Sequence, residues 1–186
     1  MTDEDREEKT EELLDILSRS KRLELRWFSF SYFYRAGSMG GLTHLTFLYR
    51  RVTKDELKIL EFLRNLQVLE GFEAEDQSDP GYLDGLLASC QYLKKLSFFS
   101  TVNVLPSALF QRLSLRWLDV RGEIDVPIED IIRLCENKPF GFILGSNDLF
   151  NKPNLDYFTR LIKACPHIYF WIQRVEVPDD FNIEEF

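Results

Sequence analysis

The fold is decided by the stretch Leu93-Lys94-Lys95-Leu96-Ser97-Phe98, in which apolar residues take the first, fourth and sixth positions. The same pattern begins at Leu42 and again at Leu115, and its first half is repeated at Leu66. The four copies begin 24, 27 and 22 residues apart along the chain. A motif of one size that returns at a nearly constant period predicts a repeat architecture, in which each copy belongs to one structural unit.

Four copies of the strand motif are imperfect. The copy that begins at residue 66 has Gly71 at its third apolar position, and we expect Phe72 to fill that position through a β-bulge. Residues 140–144 and 168–172 carry bulky side chains where leucine would be expected. Residues 23–27 alternate apolar and polar side chains, which is typical of a strand with one buried face. The chain therefore contains seven predicted strands.

The segments between the strands have the apolar period of amphipathic helices. Apolar residues recur at i, i+3, i+4 and i+7 in three segments: Leu83, Leu86, Leu87 and Cys90; Ile128, Ile131, Ile132 and Cys135; and Leu155, Phe158, Leu161, Ile162 and Cys165. Thr53 and Glu56 have the spacing of a capping box, and Asp79-Pro80 offers an N-cap followed by proline. Pro106, Pro127 and Pro153 lie near the same point of later units.

A cysteine that ends a helix and precedes an apolar strand is found at residues 90–96 and again at 165–168. This order resembles the cysteine-containing leucine-rich repeats of F-box substrate receptors, and the resemblance covers roughly residues 13–177. It implies an α/β leucine-rich repeat solenoid of about six or seven repeats. Such a fold is an open curved stack with parallel strands on the concave face and helices on the convex face. No F-box is recognised ahead of the repeats.

The chain divides into three predicted segments. Residues 1–12 form an acidic N-terminal segment, residues 13–177 form the leucine-rich repeat domain, and residues 178–186 form a C-terminal tail or cap. We expect a helix over residues 10–18 to cover the first unit, because a terminal repeat lacks a neighbour on one side.

Composition limits the classes of partner and the compartment. The formal net charge is -8, from 23 basic and 31 acidic residues, which argues against nucleic acid and anionic membrane surfaces and favours a basic or neutral protein partner. No secretory leader and no apolar run of membrane-spanning length is recognised. Three cysteines, an odd number without a close pair, fit a reducing compartment. We therefore expect a cytoplasmic or nuclear protein.

The candidate site is the predicted concave face, where the residues between the strand leucines point. The predicted partner-binding residues are Lys95, Phe99, Trp117, Asp119, Arg121, Tyr49, Tyr169 and Trp171. Trp117 and Phe99 are the expected apolar anchors, because buried aromatic side chains dominate interface energies. Charged neighbours such as Arg121 are expected to set the orientation of the partner.

Our leading hypothesis is a non-enzymatic protein-binding module, monomeric by itself or a subunit of a hetero-complex. The resemblance implies an adaptor or substrate-recognition component of a ubiquitin-ligase-type complex. One alternative is a structural or regulatory subunit that binds through its ends or its convex helices. Two further alternatives are RNA binding by the aromatic and basic residues 26–35 and a thiol enzyme that uses Cys165 and His167.

We expect no catalytic residue, cofactor or metal site. Cys165 lies on the apolar stripe of its predicted helix, where a free cysteine behaves as a small hydrophobic residue. The sequence contains neither a CxxC nor an HxxxH motif, which are common spacings of zinc ligands.

Overall fold

The computed structural model describes residues 12, 15–16, 18–26, 39–74, 81–99, 105–121, 126–139, 141–146 and 155–172. Several predicted features lie outside the described residues: the Asp79-Pro80 helix start, Pro153, most of the aromatic and basic stretch, and the tail from residue 178 onward. The predicted N-terminal helix is described at residues 12, 15, 16, 18 and 19, which are helical.

Strands and helices alternate along the described chain. The strands are β1 (Arg22–Leu25), β2 (His44–Val52), β3 (Val68–Ala74), β4 (Lys95–Phe99), β5 (Trp117–Arg121), β6 (Ile143–Ser146) and β7 (Tyr169–Ile172). The helices are α1 (Lys54–Leu60), α2 (Gly81–Ser89), α3 (Ser107–Gln111), α4 (Ile128–Glu136) and α5 (Leu155–Ala164), and a 3-10 turn at Met39–Gly41 precedes β2.

The seven described strands form one open parallel sheet. They are hydrogen-bonded in sequence order from β1 to β7, and every neighbouring pair is parallel. Right-handed crossovers that always advance in the same direction place all connecting helices on one face of the sheet. Consecutive helices from α1 to α5 accordingly pack against each other. The predicted α/β architecture with parallel strands is confirmed.

The core lies between this helix layer and the sheet. One row of the sheet pairs Leu45, Leu69, Leu96, Leu118 and Leu144 across five strands, and each of these side chains is 2% exposed or less. A second buried row pairs Phe72, Phe98 and Val120, and Phe47 of β2 is buried as well. Burying one such side chain contributes about 1.5–3 kcal/mol. The repeated apolar positions of the sequence are therefore what join one unit to the next.

The predicted bulge in the copy of the motif that begins at residue 66 is confirmed. Phe72 pairs with Phe98 after a shift of register, and their rings stack with centroids 5.8 Å apart. Gly71 has a φ of 73°, a conformation that other residues rarely adopt. A Cβ atom at this position would also overlap the Phe47 carbonyl oxygen. Glycine is therefore required for Phe72 to enter the core.

Strand β6 begins later than the sequence predicts. The predicted strand covers residues 140–144, whereas β6 covers Ile143–Ser146. Gly141 has a φ of 84°, which interrupts extended structure, and Phe142 directly before the strand is fully buried. Leu144 pairs with Leu118, so this unit still supplies a residue to the row of buried leucines. The buried residues Phe142 and Leu144 lie two positions apart, whereas the first two leucines of the full motif lie three positions apart.

The helix starts follow the predicted capping signals. The Thr53 backbone N–H donates to Glu56 Oε2 at 3.1 Å, and the Glu56 N–H donates to Thr53 Oγ1 at 3.3 Å. The predicted capping box of α1 is thus confirmed. Pro106 and Pro127 are the N-cap residues of α3 and α4, where their fixed φ angles direct the chain into the helix.

The ends of three helices are bonded by side chains of a later unit. We call these carbonyl groups, which lie three residues apart at each helix end, the carbonyl ladder: Leu60 and Leu63 at the end of α1, Leu109 and Arg112 at the end of α3, and Ile132 and Cys135 at the end of α4. Cys90 Sγ lies 3.7 and 3.8 Å from the first pair of oxygens. Cys165 Sγ lies 3.8 Å from the Ile132 oxygen.

At the end of α3, Lys138 bonds ladder oxygens equivalent to those that a cysteine contacts at the ends of α1 and α4. Its side chain is 4% exposed, and Nζ donates to the carbonyl oxygens of Leu109 at 2.5 Å and Arg112 at 2.7 Å. Burial lowers the pKa of the Lys138 amine to about 8. A cation is favourable at the C-terminal end of a helix, where carbonyl dipoles accumulate negative potential.

Candidate functional site: the open face of the sheet

The face of the sheet opposite the helices, called here the open face, carries the side chains that alternate with the core leucines. Strand register aligns two rows across β4, β5, β6 and β7: Lys95, Trp117, Ile143 and Tyr169 in one, and Ser97, Asp119, Gly145 and Trp171 in the other. Phe99 and Arg121 pair at the next position. Seven of the eight predicted binding residues are therefore brought together on four adjacent strands.

The eighth predicted residue, Tyr49, lies apart from this group. It belongs to β2, two strands away from β4, and its side chain is outside the described part of the structure. The structure also places the last two strands in a single register, which the degenerate motifs left open. Tyr169 is 57% exposed and Trp171 is 39% exposed, so both present aromatic surface on the open face.

Each cation of the central open face is held between a carboxylate and an aromatic ring. Lys95 Nζ lies 2.6 Å from Glu70 Oε1 and 4.9 Å from the centroid of the Trp117 ring. Arg121 Nε lies 2.9 Å from Asp119 Oδ2, and its Cζ lies 5.3 Å from the Phe99 centroid. Such cation–π contacts add to the ion pairs and restrict the side-chain rotamers. The Lys95 and Arg121 side chains are therefore held in place before a partner binds.

Asp119 is a buried carboxylate with one satisfied oxygen. The residue is 2% exposed, and its Oδ2 accepts hydrogen bonds from Arg121 Nε at 2.9 Å and Ser97 Oγ at 3.1 Å. Its Oδ1 is buried and has no hydrogen-bond partner among the residues that the structure describes, and the same is true of Trp117 Nε1. Leaving a buried polar atom unpaired costs about 1–3 kcal/mol.

Gly145 creates the space into which this carboxylate points. In the register of the sheet it lies between Asp119 and Trp171. A Cβ atom on Gly145 would be 3.3 Å from Asp119 Oδ1 and 3.2 Å from Trp171 Cε3, so both groups lie over the bare backbone. The rings of Trp117 and Trp171 have centroids 6.4 Å apart and a tilt of 48°. We call these four residues the Gly145 notch.

Sequence reasoning missed Gly145, although a signal for it exists. The predicted strand at residues 140–144 stops one residue short of it. Once Leu144 is aligned with Leu118, the residue after it falls between the aspartate and tryptophan positions. A glycine inside a strand indicates a close approach by another group, and here that group is the Trp171 ring.

The three cysteines are buried, as the sequence predicts for Cys165. Burial raises the pKa of the Cys90 and Cys135 thiols to about 12, and it also raises the pKa of Cys165. His167 Nε2 lies 3.3 Å from the Cys135 carbonyl oxygen, which occupies this ring nitrogen. Protonated, enclosed thiols are poor nucleophiles, so this arrangement offers no support for thiol chemistry.

Another candidate surface lies at the turns that follow α1 and α2. A groove of about 750 Å³ is lined by Glu61, Phe62, Arg64, Asn65, Ala88, Ser89, Gln91 and Tyr92. Phe62 is 60% exposed and Tyr92 is 61% exposed. This groove combines two aromatic side chains with a mostly polar lining, but it lacks the buried unpaired polar atoms of the open face.

The described residues contain neither a metal-binding group nor a membrane-spanning helix. Within these ranges, no three histidine, cysteine, aspartate or glutamate side chains are grouped so that they could hold a metal ion. In the same part of the chain, no helix has the length and apolar character needed to cross a membrane.

No family model matches the sequence, and none of the curated proteins matches it at a significant level. The function has to be inferred from the open face itself.

Proposed function

We propose that the protein is a leucine-rich repeat protein that binds another protein on the open face of its sheet and catalyses no reaction. The repeat assignment is supported by parallel strands in sequence order, by the two buried rows of leucine and phenylalanine, and by the period of 22–27 residues. Repeat proteins of this kind stack their units side by side, and the resulting sheet offers an extended surface to a partner.

The observation that carries the binding proposal is the centre of the open face. Tryptophan, tyrosine and arginine are the residues most enriched among interface hot spots. Here Trp117, Trp171, Tyr169 and Arg121 lie within four adjacent strands. Ring contacts restrain Trp117 and Trp171 and an ion pair restrains Arg121, which lowers the entropy lost on binding.

The charge of the chain favours a basic protein as the partner. The formal net charge of -8 attracts positively charged molecules over the range of the Debye length and raises their association rate. The central open face contributes little net charge, because Lys95 is paired with Glu70 and Arg121 with Asp119. Charge therefore steers the encounter, while the aromatic centre provides the affinity.

The test is an affinity purification from cells of the native organism, read by mass spectrometry. The binding variant is Tyr169→Ala/Trp171→Ala, which removes exposed aromatic surface without touching the Asp119 ion pair. The matched control is Tyr92→Ala, which removes an equally exposed aromatic ring from the groove beside the helices. We expect the binding variant to lose partner proteins that the wild type and the control both retain.

The opposite pattern supports a different function. If Tyr92→Ala loses the partners and Tyr169→Ala/Trp171→Ala keeps them, the protein binds through the groove after α1 and α2, as a structural or regulatory subunit would. The adaptor role in a ubiquitin ligase rests on the sequence resemblance alone. Cullin-system proteins in the captured set, absent when the open face is altered, would be the result that supports it.

A further inference from the structure

We infer that the Gly145 notch receives an arginine side chain of the partner. This inference rests on the proposed function and adds the chemistry of the group that is recognised. It is built on three features of the notch: a buried carboxylate oxygen without a donor among the described residues, the Trp171 ring beside Gly145 in contact with the Trp117 ring, and a Trp117 indole N–H without an acceptor there.

The carboxylate oxygen requires a donor that the described chain does not provide. Asp119 Oδ2 already accepts from Arg121 and Ser97, so only Oδ1 is available to a ligand. The Oδ1 atom points over Gly145, because a Cβ atom there would be 3.3 Å from it. Charged donors make shorter and stronger hydrogen bonds to carboxylates than neutral donors do. A cationic group is therefore the ligand that gains most at this position.

Among cations, the rings favour a guanidinium group over an ammonium group. Trp117 and Trp171 lie with their ring centroids 6.4 Å apart above the notch, and a planar guanidinium can stack on an indole face while its N–H groups donate sideways. An ammonium ion is more strongly hydrated and loses more when water is excluded. The negative net charge of the chain attracts guanidinium and ammonium groups alike, so it does not decide between them.

The second unpaired atom indicates that the arginine belongs to a peptide chain. Trp117 Nε1 is a donor without an acceptor among the described residues, and a guanidinium group carries no acceptor. A backbone carbonyl of the same partner segment supplies one. An arginine residue within a peptide thus brings both the donor and the acceptor that the notch lacks.

Entry of the ligand requires the Trp171 ring to move. The ring lies against the backbone at Gly145, where a Cβ atom would be 3.2 Å from Cε3 and 3.3 Å from Asp119 Oδ1, and that oxygen is buried. Trp171 is 39% exposed, so moving its ring exposes the buried remainder, which the bound guanidinium group has to cover again. We expect the ring to swing aside and then close on the guanidinium group.

The inference is tested by titrating the full chain with the peptide Ac-Gly-Arg-Gly-NH2 and following two-dimensional ¹H–¹⁵N NMR spectra. The chain has three tryptophans, and the variants Trp117→Phe and Trp171→Phe assign their indole N–H signals. A contact made by one residue is expected to bind with a Kd of about 1–10 mM. We expect saturable shifts of the Gly145 amide and the Trp117 indole signal.

Two variants and two peptides make the result specific. Asp119→Asn keeps an acceptor for Arg121 and Ser97 and replaces the unpaired oxygen with a donor, so the peptide should bind at least about tenfold more weakly. Gly145→Ala narrows the notch and should have the same effect. The lysine peptide should bind more weakly than the arginine peptide, and the glutamine peptide should cause no saturable shift. Unchanged amide spectra elsewhere verify that both variants are folded.

The inference is overturned by any of three results: an equal response to the glutamine peptide, an undiminished response in Asp119→Asn, or no shift with arginine peptide up to about 50 mM. Its failure is distinguishable from failure of the proposed function. If Tyr169→Ala/Trp171→Ala loses partners in cells but the notch does not select arginine, the binding face stands and only the recognised group is wrong.

Discussion

The carbonyl ladder and the Gly145 notch differ in whether their polar atoms have hydrogen-bond partners. In the ladder, the Leu63 oxygen accepts both the Leu66 N–H and Cys90 Sγ, and the Arg112 oxygen accepts both the Leu115 N–H and Lys138 Nζ. In the notch, Asp119 Oδ1 has no donor among the described residues. These two ladder oxygens therefore have two donors each, whereas the carboxylate oxygen of the notch has none among the described residues.

This difference separates stability from recognition. Buried polar groups in folded proteins are nearly always hydrogen-bonded, and the ladder follows that rule at the ends of α1, α3 and α4. An unpaired polar atom lowers the stability of the free protein but strengthens the binding of whatever pairs with it. Changes in the ladder should therefore affect folding, and changes in the notch should affect binding.

The largest expected effect is that of Lys138→Ala. It removes two hydrogen bonds to the carbonyl oxygens of Leu109 and Arg112 and leaves a cavity beside the Phe142 ring, which Nζ approaches to 5.6 Å. We expect the free energy of unfolding to fall by about 3 kcal/mol, measured by urea denaturation. A loss below about 1 kcal/mol would show that the two hydrogen bonds of Lys138 contribute little to the free energy of unfolding.

Cys90→Ala should have a smaller effect of the same kind. The thiol is fully buried and lies 3.7 and 3.8 Å from two ladder oxygens, both of which keep a backbone donor. Loss of the sulfur should lower the free energy of unfolding by about 1–2 kcal/mol. Cys90→Ser, which retains a donor, is the comparison that separates hydrogen bonding from packing in the same denaturation experiment.

The stability advantage of the wild type over Lys138→Ala should increase with pH. The pKa of Lys138 is about 8 in the folded protein and 10.5 when unperturbed, so between these values the unfolded chain binds the extra proton. Stability then rises as pH rises through this window. We expect the difference in unfolding free energy to grow by roughly 1 kcal/mol between pH 8 and pH 9.5. A flat difference would mean that the amine is not desolvated.

The smallest expected effects on stability are those of Asp119→Asn and Gly145→Ala. The first keeps the shape of the side chain, and the second requires the Trp171 ring to shift by a few tenths of an ångström. Both should change the free energy of unfolding by less than about 1 kcal/mol. Thermal unfolding followed by circular dichroism checks this, and a larger loss in either variant would assign the notch a structural role.

Much of the fold could be predicted because its determinants are local and repeated. The spacing of Leu42, Leu66, Leu93 and Leu115 predicts the parallel strands, and the Thr53 and Glu56 pair predicts a capped helix start that the structure confirms. The insertion of Phe72 after Gly71 was also predictable, because a glycine in place of a core residue indicates a bulge.

The role of Lys138 could not be predicted in the same way. It lies after α4, beyond the helical apolar stripe, and nothing in its neighbours marks it as buried. Its two acceptors, Leu109 and Arg112, are 29 and 26 residues earlier in the chain. Only the stacking of one unit on the next brings the amine to those oxygens.

The sequence predicts which side of the sheet carries the candidate site, but it does not predict the contacts between the residues of that site. Alternation along β4 and β5 places Lys95, Phe99, Trp117 and Arg121 on one side of the sheet. The contact of Trp171 with Gly145 depends on the register of two degenerate strands, which spacing alone does not fix.

The most direct test measures the affinity of the purified chain for a captured partner protein, with Asp119→Asn and Cys90→Ala compared side by side by calorimetry. The account predicts that Asp119→Asn binds at least about tenfold more weakly at nearly unchanged stability, whereas Cys90→Ala binds normally at reduced stability. Equal affinity of Asp119→Asn and the wild type, together with weakened binding by Cys90→Ala, would contradict it.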